Sequence, residues 1–109
     1  MPFTMVNGVM HAGSVSLTAI AEAVGTPTYV YSAPDIASQF QQLTADLAGL
    51  THRICYAVKA NSNLSVLRSI AELGMSFDIV SGGELQRVVS ARADPHSVVF
   101  SGVGKTTEE

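Results

Sequence analysis

The amino-acid sequence predicts an α/β fold built around a parallel β-sheet. From Arg53 onward, a short apolar strand, a polar loop and an amphipathic helix follow one another repeatedly, and the loop residues Lys59, Ser81 and Gly102 lie 22 and 21 residues apart. This period leaves no room for antiparallel hairpins between the strands, so successive strands must run parallel. With 47% hydrophobic and 14% charged residues, the 109-residue chain has enough apolar side chains for one modest core.

Composition and charge exclude several classes of partner. The net charge is -3 and the chain has no basic run, so neither a nucleic acid nor a membrane is expected as a partner. No apolar stretch approaches the length that spans a bilayer. The single cysteine, Cys55, cannot form an intrachain disulfide, which predicts a reducing compartment, the cytoplasm. The three histidines show no ligand spacing, so no metal site is expected.

The first 31 residues predict a hairpin, a helix and a strand. Asn7-Gly8 between short apolar flanks is typical of a two-residue hairpin turn. Ser16 can cap a short helix that ends at Gly25. Residues 28–31, with the sequence TYVY, are β-branched or aromatic and predict a strand.

A longer helix is predicted to follow this strand. Ser32 and Pro34 suit its first turn. Apolar residues then recur at spacings of four, three and four, which gives one apolar stripe. The stripe consists of Ile36, Phe40, Leu43 and Leu47.

Three βα units make up the rest of the sequence. Strands are predicted at residues 54–58, 77–80 and 98–100, and the helix of the first unit is predicted to end at Gly74. In a parallel sheet, the loops that follow the strands lie at the same edge, where α/β proteins place ligands and chemistry.

The residues after these strands are therefore predicted to gather at one rim of the sheet. They are Lys59, residues 81–84 and residues 102–106. Thr106 followed three positions later by Glu109 is the capping-box pattern of a helix start. This helix would be the third crossover helix, and we expect that the chain has been truncated at its start.

Three residues near this rim could carry chemistry. Lys59 follows an apolar strand, where partial desolvation would make its amine a better nucleophile toward a carbonyl; the alternative is a solvated loop lysine. Asp78 lies in an apolar strand and either faces a polar interior or marks an exposed strand edge. Glu84 begins a helix, where the helix dipole alone would explain a carboxylate.

A phosphate-binding loop of the nucleotide-hydrolase type is not expected. Residues 104–106 fit the end of the pattern GxxxxGK[ST], but the first glycine of that pattern would fall on Val99.

Four sequence motifs resemble those of the fold-type III pyridoxal-phosphate decarboxylases and occur in the same order along the chain as in that family. They are YAVKAN at residues 56–61, FDIVSGGEL at 77–85, GTPTYVYS at 25–32 and FSGVGKT at 100–106. The resemblance implies a partial (β/α)8 TIM-type barrel, comprising about the first three βα units and preceded by a short β/α segment. It divides the chain into residues 1–31 and the start of a pyridoxal-phosphate-binding barrel over residues 32–109.

The resemblance also implies roles for individual residues. Lys59 would bind pyridoxal phosphate as a Schiff base, with Ala57 and Val58 in the pocket wall. Asp78 would belong to the cofactor-binding set, and Asp78 and Glu84 would support the lysine amine and the local charge. The cofactor would act as an electron sink for loss of carbon dioxide from an amino acid.

For substrate and assembly, the resemblance leaves alternatives. SGGEL favours meso-diaminopimelate, converted to L-lysine and carbon dioxide, with ornithine or arginine as alternative substrates. The intact enzyme would be a homodimer, and this piece alone is expected to be inactive. The competing class is a non-catalytic half-barrel with a cofactor-binding or structural role.

Overall fold

The computed structural model describes residues 3–109, and the chain divides into two compact units, Met1–Leu43 and Thr44–Glu109. The first unit contains a small antiparallel sheet and a helix. The second contains a parallel sheet with its crossover helices.

A hairpin opens the first unit. Strand β1, Phe3–Val6, pairs antiparallel with strand β2, Val9–Ala12. The two turn residues both have positive φ, 50° at Asn7 and 80° at Gly8, as a two-residue turn between twisted strands requires. The predicted hairpin is confirmed, and a short third strand, β3 (Val15–Ser16), extends it.

Helix α1, Leu17–Val24, begins and ends where the sequence predicts. The Ser16 hydroxyl accepts a hydrogen bond from the backbone N–H of Ala19 at 3.1 Å, which satisfies one free donor of the first turn. At the other end Gly25 has a φ of 83° and donates its N–H to the carbonyl of Ala21 at 2.8 Å.

The strand predicted over residues 28–31 is wrong. These residues have extended sequence preferences but form no strand, and Tyr29 and Tyr31 are 91% and 55% exposed. Aromatic and β-branched residues favour a strand only where a neighbouring strand accepts their backbone hydrogen bonds and side chains. Among residues 3–109, no strand pairs with this segment.

Helix α2, Ala33–Asp46, confirms the second predicted helix. The Ser32 hydroxyl accepts from the N–H of Asp35 at 3.4 Å, and Pro34 lies in the first turn. The predicted apolar stripe is only partly covered, since no residue of the helix is fully buried and Leu43 is 45% exposed.

The second unit is built on a three-stranded parallel sheet, which confirms the predicted α/β class. Its strands lie in chain order: β4 (Cys55–Ala57), β5 (Ser76–Ile79) and β6 (Val98–Phe100). Strand β6 has the predicted bounds. Strand β4 is shorter than predicted, because the chain turns at its end into a 3-10 helix, Val58–Ala60, here called the Lys59 turn.

Two helices connect these strands. Helix α3, Leu64–Glu72, is capped by Asn63, and helix α4, Gly82–Ser90, is capped by Ser81. Gly74, with a φ of 84°, follows α3 as predicted. A second 3-10 helix, at Pro95–Ser97, leads into β6.

The core of this unit lies between the helices and one face of the sheet. Phe77 and Ile79 alternate with Asp78 along β5, so both point to the face opposite Asp78. The Phe77 ring meets Tyr56 edge-on, with 6.4 Å between ring centroids. The largest fully buried side chains are those of Val58, Leu67, Ile70, Phe77, Ile79 and Val88.

Gly102 lies too close to the neighbouring strand end to accept a side chain. A Cβ at this position would stand 2.6 Å from the carbonyl oxygen of Val80 and 3.0 Å from Cε1 of Phe100. We expect Gly102→Ala to lower the free energy of unfolding by about 1–3 kcal/mol, because backbone must shift to relieve the contact. Urea denaturation followed by circular dichroism measures this change.

Gly83→Ala is the matched control for this substitution. A Cβ on Gly83 has only Ser81 Oγ nearby, at 3.8 Å, and alanine favours the helix that this residue occupies. The control should be neutral or stabilising. Equal stability of the Gly102→Ala and Gly83→Ala proteins would contradict the prediction.

Candidate functional site

The carboxyl ends of the three parallel strands form one edge of the sheet, as predicted. After β6, the N–H of Ser101 donates to the carbonyl of Ile79 at 3.0 Å, and Gly102 lies against Val80. The loop after β4 is joined to the next unit by Arg87 of α4, whose Nη1 donates to the carbonyl of Ser62 at 3.2 Å. The segment after β6 is thus linked to the end of β5, and the loop after β4 is linked to helix α4.

Lys59 lies in the turn directly beyond β4. Its neighbour Val58 is fully buried and anchors the turn in the core, whereas Lys59 is exposed. Strand β4 thus ends two residues before Lys59, and the expected partial burial of the lysine is not seen among residues 3–109. Within that part of the chain, Lys59 Nζ makes no hydrogen bond or ion pair.

The loop that carries Lys59 is fixed by side chains from two elements. The Tyr56 hydroxyl, from β4, donates to the carbonyl of Asn61 at 3.0 Å, and Arg87 holds the next carbonyl, that of Ser62. The Asn61 side chain in turn accepts from the N–H of Asn63 at 2.9 Å. Sequence reasoning missed Arg87, because it lies 25 residues from its partner and carries no local signal.

Ala57 and Asp78, two residues of the predicted cofactor-binding set, lie side by side on neighbouring strands. The strand register pairs Ala57 with Asp78 and Asp78 with Val99, so the three side chains share the sheet face opposite the core. Asp78 is half-buried, and its Oδ1 accepts a hydrogen bond from the Ser101 hydroxyl. Ser101 is absent from the predicted site; its only sequence signal is its position two residues after Val99.

Glu84 has a backbone partner in this structure. Its Oε2 accepts from the N–H of Val80 at 2.7 Å, and its own N–H donates to the Ser81 hydroxyl at 3.2 Å. These bonds tie the end of β5 to the start of α4. A carboxylate in the first turn also complements the positive end of the helix dipole.

The segment after β6 packs back on the same edge. Lys105 Nζ donates to the carbonyl of Phe100 at 3.1 Å and lies 5.2 Å from the centre of its ring. Glu109 accepts from the N–H of Thr106 at 3.0 Å, one half of the predicted capping box, and from Gly82 at 3.2 Å. Residues 101–109 form no helix, and the predicted helix start stays a prediction.

The two backbone donors make Glu109 a pH-sensitive contact. Hydrogen bonds from Thr106 and Gly82 favour the charged carboxylate and lower the pKa of Glu109 below its usual 4.5. The contact is therefore present above pH 4.5 and is lost as the pH falls through the lowered pKa. We expect the amide NMR signals of Gly82 and Thr106 to move together over that acidic range.

Two glutamate substitutions distinguish titration of Glu109 from other effects of low pH on the amide signals. Glu109→Gln should remove the pH-dependent movement of both amide signals, and Glu108→Gln, at the adjacent position, should preserve it. A midpoint at or above pH 4.5 for the unsubstituted chain would contradict the assigned direction.

No group of histidine, cysteine, aspartate and glutamate within residues 3–109 is arranged to hold a metal ion. Over the same residues, no helix is long and apolar enough to cross a membrane.

Comparison with known proteins identifies the family of this chain. The sequence profile described as "Pyridoxal-dependent decarboxylase, pyridoxal binding domain" matches residues 33–109, well over half of the chain. The chain belongs to the pyridoxal-dependent decarboxylase family. The resemblance read from the four motifs is thereby confirmed, and the family's cofactor is the one that the motifs imply.

Curated relatives extend the match to the N-terminal residues. The diaminopimelate decarboxylase of Pseudomonas fluorescens is 53% identical over 107 residues, which cover 98% of this chain and 26% of the relative. That of Vibrio cholerae is 50% identical and is matched over 94% of this chain and 25% of its own length. The chain spans about a quarter of the length of these decarboxylases.

Solved structures share the fold. A protein of Aquifex aeolicus has a TM-score of 0.89 and 40% identity, covering 99% of this chain and 27% of its own. The diaminopimelate decarboxylase of Helicobacter pylori, complexed with L-lysine, has a TM-score of 0.77 and 41% identity over 84% of this chain and 23% of its own.

The site residues suit a pyridoxal cofactor. Covalent attachment of its aldehyde requires a primary amine, and Lys59 offers one without a partner among residues 3–109. The small side chain of Ala57 lies two residues earlier, on the face of the sheet that the core does not use. Lys59 therefore provides the functional group that the aldehyde of pyridoxal requires.

Proposed function

We propose that this chain is the first part of a pyridoxal-phosphate-dependent amino-acid decarboxylase in which Lys59 holds the cofactor. The observation that carries the proposal is the Lys59 turn: an unpartnered primary amine at the carboxyl edge of a parallel sheet, anchored on one side by buried Val58 and on the other by Tyr56 and Arg87. A lysine amine of this kind can condense with an aldehyde, with loss of water.

Each predicted site residue then has a separate task. When bound, pyridoxal phosphate supplies the electron sink that allows a carboxylate to leave as carbon dioxide. Lys59 retains the cofactor and can move a proton at its amine nitrogen. Ala57 leaves room beside the amine, and Asp78 places a negative charge on the same sheet face. Glu84 supports the site indirectly, because it holds the backbone of Val80.

The proposed substrate is meso-diaminopimelate, with L-lysine and carbon dioxide as products. The support is the shared name of the relatives, diaminopimelate decarboxylase, and the L-lysine complex of the Helicobacter pylori structure. Ornithine and arginine are the alternatives. The substrate stays a proposal because this chain aligns with only about a quarter of each relative.

We also propose that the parallel sheet forms the first three units of a (β/α)8 barrel over residues 32–109, after an N-terminal segment of residues 1–31. Two observations support this: the family match begins at residue 33, and Ala57, Asp78 and Val99 face away from the helix-covered core, as inward-pointing barrel residues do. The intact enzyme is proposed to be a cytoplasmic homodimer.

Borohydride trapping tests the role of Lys59. The 109-residue chain is incubated with pyridoxal phosphate, reduced, digested and mapped by mass spectrometry. Lys59 and Lys105 are the only lysines, so each serves as a reference for the other. We expect label mainly on Lys59, because the Lys105 amine is already bonded to the carbonyl of Phe100. Equal labelling of the two lysines would contradict the proposal and favour a non-catalytic half-barrel.

A chimera tests the substrate. This chain replaces the aligned N-terminal quarter of the Pseudomonas fluorescens enzyme, to which it is 53% identical. Release of carbon dioxide is then compared for meso-diaminopimelate, ornithine and arginine. We expect release of carbon dioxide from meso-diaminopimelate, and a folded chimera that releases none from it, or that prefers ornithine or arginine, would overturn the assignment.

A further inference from the structure

Asp78 occupies the middle strand, between the lysine strand and the last strand of the sheet. Its Cα partner is Ala57 on one side and Val99 on the other. Two residues after Ala57 comes Lys59, and two residues after Val99 comes Ser101. Toward the carboxyl edge, Ser101 contacts the carboxylate through its hydroxyl, and on the other side Lys59 lies in the turn that follows β4.

Ser101 is well placed to orient the Asp78 carboxylate. Its backbone N–H is bonded to the carbonyl of Ile79, and the next residue, Gly102, fits tightly against Val80. The hydroxyl is thus presented from a fixed backbone. It donates to Oδ1 of Asp78, a hydrogen bond that the charge of a carboxylate strengthens.

Only one carboxylate oxygen is engaged in this way. Among residues 3–109, Oδ2 of Asp78 accepts no hydrogen bond. A carboxylate held through one oxygen loses its rotational freedom about χ2, and its second oxygen keeps a defined direction. Without the hydroxyl, a half-buried aspartate in a strand would sample several orientations.

We propose that Ser101 is a positioning residue for the Lys59 site. It holds Oδ1 of Asp78 from the β6 side and so keeps Oδ2 available to the lysine amine from the β4 side. This inference rests on the proposed function, since it assumes that Asp78 serves Lys59. Ser101 itself touches neither the amine nor the cofactor in this assignment.

The test uses three single substitutions in the 109-residue chain. Ser101→Ala removes the hydroxyl, and Ser101→Thr keeps it. Ser69→Ala is the matched control, because the Ser69 hydroxyl donates to the carbonyl of Ser65 within α3. For each protein, the 13Cγ NMR signal of Asp78 reports the hydrogen bond without any cofactor. The rate of reductive pyridoxal-phosphate labelling then reports its effect on Lys59.

We expect Ser101→Ala to shift the Asp78 signal and to slow Lys59 labelling about three- to tenfold, in the range that a hydrogen bond to a charged group can supply. Labelling of Lys105 should not change. Ser101→Thr should restore both the signal and the rate, and Ser69→Ala should match the unsubstituted chain.

Different failures have different meanings. An unmoved Asp78 signal in Ser101→Ala would overturn the contact, and a moved signal with unchanged Lys59 labelling would overturn the positioning role. Loss of the Lys59 preference in the unsubstituted chain would instead count against the proposed function. A preference that persists undiminished in Ser101→Ala would count against Ser101 alone.

Discussion

Lys59→Arg is expected to abolish decarboxylation by the chimeric enzyme. Arginine keeps the positive charge and nearly the length of lysine, so the exposed turn should tolerate it. A guanidinium cannot replace the primary amine in condensation with an aldehyde. We expect the turnover number to fall about a thousandfold or more, because a covalent attachment point is lost rather than a single contact.

Lys105→Arg is the matched control for this loss. Lys105 is the other lysine of the chain, and its amine is bonded to a backbone carbonyl, a bond that arginine can also donate. Carbon dioxide release should remain within about twofold of the unsubstituted chimera, an effect of the size expected for an exposed substitution. Comparable losses in both variants would show that charge or folding, rather than the Lys59 amine, limits activity.

Phe77→Ala is expected to have the largest effect on stability. The ring is fully buried at the centre of the second unit and packs edge-on against Tyr56. Truncating a buried phenylalanine costs about 3–5 kcal/mol, through lost burial and the cavity that remains. A domain of this size has a total stability of only about 5–15 kcal/mol, so the substituted unit should be largely unfolded under mild denaturing conditions.

Urea denaturation followed by far-UV circular dichroism measures this effect. Val103→Ala provides the control, since Val103 is 99% exposed and its truncation should change the free energy of unfolding by about 0.5 kcal/mol or less. A difference between Phe77→Ala and the control below about 1 kcal/mol would show that the ring does not anchor a packed core.

The parts of the fold that depend on local patterns could be predicted from sequence. Asn7-Gly8 specifies its own turn, and Ser16 and Ser81 specify helix starts, because their partners lie within three residues. Residues 28–31 failed because a strand needs a neighbour that the local sequence does not provide.

The candidate site also combines residues that the sequence predicts with contacts that it does not predict. Motifs predict Lys59, Ala57, Asp78 and Glu84 as site residues, but they do not identify the groups that contact Asp78 and the Lys59 loop. Ser101 reaches Asp78 across 23 residues, and Arg87 reaches the Lys59 loop at Ser62 across 25. Contacts of this range arise from strand register and helix packing, which no short pattern encodes.

The Arg87 contact also joins two segments that the ribosome synthesises at different times. A ribosome completes Ser62 well before Arg87, which follows 25 residues later. At bacterial or eukaryotic elongation rates the delay is about one to five seconds, long compared with the closing of a loop. The Lys59 loop therefore gains its contact with Arg87 only after α4 has been translated, and its final geometry is set by a helix that lies downstream in the chain.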